Sequence, residues 1–357
     1  MQNPVKTILG CMSGTSLDGI DLALLTTDGE SIIQSGKNFY KAYELREREI
    51  IARAFMKYER DETVNEAESC VTEAHIKAIN EFVAQEKINF DMISFHGQTI
   101  THDPAKKFTW QIGDAQKISQ TFKKPIIYDF RADDVEAGGE GAPLLPIYHR
   151  ALLQKAGTLL PCVILNIGGV SNITYLSNDT LIAFDSGAGN ALMDQVMRKH
   201  FGADYDKDGG VARTGQVNTE CLETLLSNPF FNMSPPKSLD RNPWDLSCLL
   251  PLSPKDQLAT LMQFTVQAIV KALAFLPEKP KEIFVAGGGR HNKFMMELLS
   301  DSTKMPVSPI DILGFNGDLI EAEGFAYMAA RRMYNLPISF PLTTGAPNPM
   351  TGGKIIL

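Results

Sequence analysis

At 357 residues the chain has room for two domains of ordinary size, and folding should bury about three-quarters of its extended surface without covalent staples. A formal charge of −8 argues against general nucleic-acid binding, which needs a basic stripe, although local anion sites can override a net charge. No stretch approaches the ~18 apolar residues of a membrane span, and the start, MQNPVK, has no signal-peptide core. The five cysteines, Cys11, Cys70, Cys162, Cys221 and Cys248, are an odd number without a CxxC pair, which predicts reduced thiols in a soluble cytoplasmic protein.

Two apolar runs, residues 5–9 and 20–25, predict a β-hairpin whose turn lies in GCMSGTSLDGID, residues 10–21. The turn is rich in groups that suit phosphates. Gly14 and Gly19 allow close backbone approach, Ser13, Thr15 and Ser16 add hydroxyls, and successive N–H groups can form an anion nest. Asp18 and Asp21 supply carboxylates for a hydrated Mg²⁺. Turns of this composition are also common where nothing binds.

Residues 31–40 supply a third strand after an Asp28-Gly29 turn. Two helices follow, the clearer over 63–85, with Val64, Ala67, Val71, Ala74, Ala78 and Phe82 at three- and four-residue spacing. A strand at 90–95 ends in His96-Gly97-Gln98-Thr99. A strand at 108–112, a short helix capped by Asp114 and a strand at 125–130 come next. Strands alternating with helices indicate an α/β fold. Residues 131–146, RADDVEAGGEGAPLLP, break the alternation and read as either a solvated interdomain loop or a substrate loop at the end of a strand. A first domain is expected over 1–130 and a second over 131–357, with the last segment packing back on the first.

The second half echoes the opening. A strand at 162–166, an Ile167-Gly168-Gly169-Val170 turn, a returning strand at 171–176 and a third at 181–184 repeat the hairpin-plus-strand unit about 150 residues later, a domain-sized interval. Asp185 closes that third strand before Ser186-Gly187-Ala188-Gly189 and a helix at 190–199. Residues 204–216 and 229–254 read as loops, 255–276 as a long helix with Leu258, Leu261, Phe264, Ala268 and Ala272 on one face. A strand at 282–286 empties into Gly287-Gly288-Gly289-Arg290-His291-Asn292. The last strong helix spans 317–333, and 335–357 reads as mostly coil.

Seven segments in order, MSGTSLDGID, FHGQT, RADD with GGEGAPL, NIGGVSNIT, FDSGAGN, AGGGRHN and NGDLIEAEGFAYMAAR, resemble the anhydro-N-acetylmuramic acid kinase family from end to end. They also place the chain near the wider acetate kinase, sugar kinase and actin superfamily. The resemblance implies two actin-like (ribonuclease H-like) domains with an interdomain nucleotide cleft. It implies an ATP- and Mg²⁺-dependent enzyme that opens the 1,6-anhydro ring of anhydro-N-acetylmuramic acid and phosphorylates O6, in cytoplasmic cell-wall recycling, as a homodimer. One departure is SGAGN after Asp185 where TGPGN is the family expectation; serine keeps the hydroxyl and alanine removes only a stiffener.

On that resemblance Asp185 is the general base that takes a proton from the attacking water. The 13–21 turn, Leu17 and Ile20 included, holds ATP phosphates, with Asp18 or Asp21 reaching Mg²⁺ through water and no direct metal ligand. Gly168 and Gly169 form a second phosphate turn, and Gly287, Gly288, Gly289 and Asn292 receive the adenosine. Thr99, Arg131, Asp133 and Glu321 face the muramyl sugar, Arg131 pairing with its lactyl carboxylate unless it is tied up by Asp133 or Asp134. His96 and Gln98 read as structural. An ordinary carbohydrate kinase and a non-catalytic nucleotide-binding module are the competing readings.

Overall fold

The computed structural model describes residues 3–239 and 244–357. In chain order these form β1 (Lys6–Ser13), β2 (Gly19–Thr27), β3 (Ile32–Ala42), α1 (Leu45–Ala52), α2 (Glu62–Glu86), β4 (Met92–Asp103), β5 (Phe108–Ile112), α3 (Ala115–Phe122), β6 (Ile126–Tyr128), α4 (Ala132–Glu136) and α5 (Pro146–Ala156). They continue with β7 (Cys162–Ile167), β8 (Val170–Leu176), β9 (Leu181–Ala188), α6 (Ala191–Phe201), α7 (Thr219–Leu226), α8 (Pro254–Leu273), β10 (Ile283–Ala286), α9 (Lys293–Thr303), β11 (Val307–Pro309), α10 (Ile320–Met333) and β12 (Lys354–Ile356).

The chain divides into two compact units, Met1–Lys155 with Leu319–Leu357, and Ala156–Asp318. The expected boundary at 130/131 therefore falls inside the first unit. α4 and α5 remain with the first sheet, and α10 returns to it, packing on β1, β2 and β4. The reason is visible at Gly10, where a Cβ would lie 1.9 Å from Ala322 O, so β1 meets the helix backbone directly. On the other face of β1, Leu9 and Cys11 join a core with the α2 residues Val64, Ala67, Val71, Ala74, Ala78 and Phe82, all buried. Strand alternation thus splits β1 between two helices.

Both sheets share one strand order. In the first, β3, β2 and β1 form an antiparallel meander, and β4 and β6 extend it in parallel from β1. In the second, β9, β8 and β7 make the meander, and β10 and β11 extend it in parallel from β7. The α/β fold and the repeated hairpin-plus-strand unit are as the sequence predicts. α8 covers the second sheet with Leu258, Leu261, Phe264, Ala268 and Ala272 buried.

Several expectations need correction. β4 runs on through His96–Thr99, because β5 pairs with its second half from Gln98 to Asp103. The 131–146 stretch starts as α4, and its Asp134 is buried, accepting from Gly141 N–H at 2.7 Å and Thr344 Oγ1 at 2.6 Å. The tail is mostly coil, as expected, with one short strand, β12, that pairs antiparallel with β6. The loop expected over 204–216 carries two short 3-10 turns, and that over 229–254 carries two more; residues 240–243 of it lie outside the described residues. Cys221 on α7 and Cys248 are disulfide-bonded, 27 residues apart with Cα atoms at 5.3 Å, which corrects the expectation of five thiols. Their proximity is a product of the α7 packing, and spacing alone could not reveal it. No helix among the described residues is long and apolar enough to cross a membrane.

The first unit buries histidines that cannot easily charge. Burial lowers His75 to about 4 and His149 to about 3 from an ordinary 6.5. An unfolded chain takes up these protons near pH 6.5, whereas the folded chain refuses them until well below that, so stability falls as pH drops from 6.5 towards 4. His75 alone is worth about 3 kcal/mol across that window. Its Nδ1–H donates to Val71 O at 2.8 Å and its Nε2 is buried without a partner, so His75→Leu removes one hydrogen bond together with the titrating group. Thermal melts of wild type should lose stability steeply between those pH values, and His75→Leu should show a shallower slope. An unchanged slope would remove His75 from the account.

Candidate active site

The β1–β2 turn is shaped by its own residues. Leu17 N–H bonds to Gly14 O at 3.2 Å, and Leu17 takes φ 57° with its side chain buried. Asp18 is exposed, its Oδ1 accepting from Ser16 Oγ at 2.6 Å and from Gly19 N–H at 3.2 Å. Its carbonyl takes Tyr40 OH at 3.0 Å and Tyr43 N–H at 3.1 Å. Thr15 and Ser16 are exposed at the tip, Gly14 is half-buried, and Ser13, Ile20 and Asp21 belong to the β1–β2 ladder. Gly19 is a packing glycine: a Cβ there would sit 2.5 Å from Lys41 O. At Gly14 the nearest atom would be Ser16 Oγ at 3.6 Å, ordinary contact.

Beside that turn a polar chain runs through the first unit. Gly97 O accepts from Ser13 Oγ at 3.2 Å and from His96 Nδ1–H at 2.8 Å. His96 Nε2 in turn accepts from Arg131 Nε at 3.1 Å, and an Arg131 terminal N–H donates to Gly141 O at 2.8 Å. Burial first, then the Arg131 charge, holds His96 well below its ordinary pKa, which suits an imidazole that accepts at Nε2. The Phe325 ring of α10 packs 4.5 Å from His96 and 5.7 Å from the Arg131 guanidinium. Glu321 stands one helical turn before Phe325, on the same side of α10. Gln98 Nε2 donates to Gly14 O at 3.2 Å, and Gln111 Nε2 to Thr99 Oγ1 at 3.3 Å. Asp133 is half-buried, whereas Asp134 is committed to Gly141 and Thr344.

In the second unit Asp185 does not end its strand. It pairs with Asn172 within the β8–β9 ladder, and β9 continues to Ala188. Its N–H donates to Lys237 O at 3.0 Å, and its Oδ2 accepts from Leu239 N–H at 2.7 Å. Gly168 and Gly169 turn β7 into β8, and their carbonyls accept the amides of Asn190 and Gly189 at the start of α6. A Cβ on either would meet nothing closer than 3.5 Å. Gly288 likewise has only Asn190 Nδ2, at 3.9 Å. Its neighbours differ: a Cβ on Gly287, at φ 72°, would lie 2.5 Å from Asn166 Oδ1, and one on Gly289 2.5 Å from Ile167 Cβ. Asn292 caps α9 through Oδ1 to Met295 N–H at 3.0 Å. Arg290 fixes the turn from beneath, pairing with both Asp318 oxygens at 2.6 and 2.7 Å and with Asp311 at 2.8 Å. No cluster of three His, Cys, Asp or Glu suited to a metal occurs among the described residues.

Residues 6–357 match the family model described as anhydro-N-acetylmuramic acid kinase. The chain belongs to this family. Among curated relatives, the anhydro-N-acetylmuramic acid kinase of Zymomonas mobilis is 46% identical over 97% of this chain and 98% of that protein. The one from Nitrobacter winogradskyi is 45% identical over 98% and 99%. Among solved structures, the ADPNP-bound activator of 2-hydroxyisocaproyl-CoA dehydratase from Clostridium difficile aligns over 92% of this chain and 97% of its own, at 11% identity and TM-score 0.47.

For an anhydro-N-acetylmuramic acid kinase the glycines now sort by cause. Gly19, Gly287 and Gly289 are demanded by the protein's own packing, whereas Gly14, Gly168, Gly169 and Gly288 are not. A glycine that nothing internal requires is where a ligand's close approach explains the residue. Gly288→Val should therefore fold normally yet weaken ATP binding by about tenfold or more, read by calorimetry, as a branched side chain fills that approach. Unchanged affinity would reject contact there. Sequence reasoning takes His96 as a structural, hydrogen-bonded residue, and it passes over Lys237. His96 lies inside the FHGQT segment, but its link to Arg131 spans 35 positions and no local pattern announces it.

Proposed function

We infer that this family member couples hydrolysis of the 1,6-anhydro bond of anhydro-N-acetylmuramic acid to phosphorylation at O6, using ATP in peptidoglycan recycling. The observation that carries the reading is the full-length family match on a chain whose Asp185 carboxylate is buried and held by a backbone amide.

In this reading Asp185 takes a proton from water as the water oxygen bonds to carbon 1. The bond from carbon 1 to O6 breaks, O6 attacks the γ-phosphorus, and the bond to the β-phosphate oxygen breaks to release ADP. Water, sugar and ATP become N-acetylmuramate 6-phosphate, ADP and the proton on Asp185, which solvent later removes. The exposed tip of the 13–21 turn and the Gly168-Gly169 turn receive phosphates through backbone N–H groups. Gly288 receives the adenosine, with Asn292 holding the helix that follows. Mg²⁺ bound to ATP supplies charge neutralisation; the exposed Asp18, steadied by Ser16 and Gly19, suits a water-mediated contact to it, and Asp21 is the alternative.

Arg131 pairs with the lactyl carboxylate, its guanidinium oriented by His96 and Gly141. Thr99 and Asp133 address sugar hydroxyl and amide groups, and Glu321 serves as a second acid or base. The cytoplasm, where ATP is available, is the expected compartment. A homodimer is the expected assembly, checked by light scattering. The function itself is tested by incubating the protein with 1,6-anhydro-N-acetylmuramic acid and Mg-ATP. Equimolar ADP and a phosphorylated sugar with a new reducing end support it, and ADP formed only with already-open sugars contradicts it.

A further inference from the structure

Lys237 is 3% exposed, an unusual place for an ammonium group. Its Nζ donates to Phe230 O at 2.9 Å and lies 4.5 Å from the Phe230 ring, 4.7 Å from Phe275 and 5.9 Å from Phe184. Phe184 immediately precedes Asp185 on β9. The backbone that carries Lys237 brackets Asp185 twice, its carbonyl accepting the Asp185 N–H and the Leu239 N–H binding the Asp185 carboxylate. We propose that Lys237 is a positioning residue for the general base: its caged ammonium pins the 237–239 backbone that orients the Asp185 carboxylate. The proposal rests on Asp185 being the base.

The energetics favour a pin over a spare charge. Three ring faces offer cation–π attraction, strongest when desolvated, and the Phe230 carbonyl gives a charge-assisted hydrogen bond. Burial lowers Lys237 to about 8, and the charge of Asp185 acts against that fall. The groups that face Nζ are Asp185 and Phe184 from β9, Phe230 from the 3-10 turn Pro229–Asn232, and Phe275 just beyond α8; Asp185 is the one charged among these. A lysine in this setting is charged below about pH 8 and loses its attraction to the cage above it.

Two variants test the role. Lys237→Met keeps an unbranched chain that packs well against rings but has no donor for Phe230 O. It should fold, lower kcat by about 10–100-fold, and leave KM for ATP and sugar within about twofold, the pattern of a misplaced catalytic group. Wild-type kcat should also decline above about pH 8, and Lys237→Arg, which does not titrate there, should lose that decline. Wild-type kcat in Lys237→Met, or a loss carried by KM, would overturn the proposal. So would a basic limb that is absent from wild type or persists in Lys237→Arg, which decides the matter even if Lys237→Met does not fold. Asp185→Asn is run alongside. If that variant retains full turnover, the base assignment falls and the Lys237 role falls with it. If it is inactive while Lys237→Met is not, only the Lys237 role fails.

Discussion

Replacing Asp185 by asparagine is expected to lower turnover by ~10²–10⁴-fold, the usual worth of a general base, with little change in stability. Asparagine keeps a side-chain oxygen for the Leu239 N–H, and the Asp185 main-chain bond to Lys237 O is untouched. The substitution thus removes proton acceptance and leaves the geometry. ATP and sugar should bind with near wild-type affinity, because binding does not need the proton transfer. Turnover within about threefold of wild type in a folded variant would mean that a group other than Asp185 performs that step.

Arg131→Met is expected to raise KM for the muramyl substrate by about 10–100-fold, from loss of a charge-assisted pair worth roughly 1.5–3 kcal/mol. Arg131→Lys should recover only part of this, since a point charge cannot reproduce the guanidinium fork that His96 and Gly141 orient. A sharper check uses 1,6-anhydro-N-acetylglucosamine, which lacks the lactyl ether. Wild type should use it poorly, and Arg131→Met should use it no worse. An equal loss on both sugars would show that Arg131 supports the fold of the β4–α4 region and does not read the carboxylate.

Local pattern carried much of this fold and little of its site. The α2 positions from Val64 to Phe82 and the α8 positions from Leu258 to Ala272 announce buried faces by period alone, and those faces are buried. Both hairpins follow from apolar runs flanking glycine turns. The stretch Ser186-Gly187-Ala188 was harder, because small residues read as a turn. Here they continue β9 and make room for α8: a Cβ on Gly187 would lie 2.9 Å from Ala268 Cβ. Domain limits escaped for a related reason, since α10 belongs to the first unit through contacts such as Ala322 on Gly10, more than 300 positions apart.

Within the candidate site, residue type gave chemistry, but only tertiary structure gave cause. Gly287, Gly288 and Gly289 are identical letters, yet two are filled by Asn166 and Ile167 and one is not. Asp133 and Asp134 are adjacent carboxylates, and only the second is consumed by Gly141 and Thr344. The Arg131–His96 and Asp185–Lys237 relations span 35 and 52 positions, beyond any period a sequence displays.

The most direct test of coupled ring opening and phosphoryl transfer is the reaction of 1,6-anhydro-N-acetylmuramic acid with Mg-ATP in ¹⁸O water, read by mass spectrometry. One ¹⁸O at carbon 1 of the 6-phosphate product, and none in its phosphate, is the predicted result. Label in the phosphate, or a 6-phosphate product whose carbon 1 oxygen is unlabelled at early times, would contradict attack of water at the anomeric carbon.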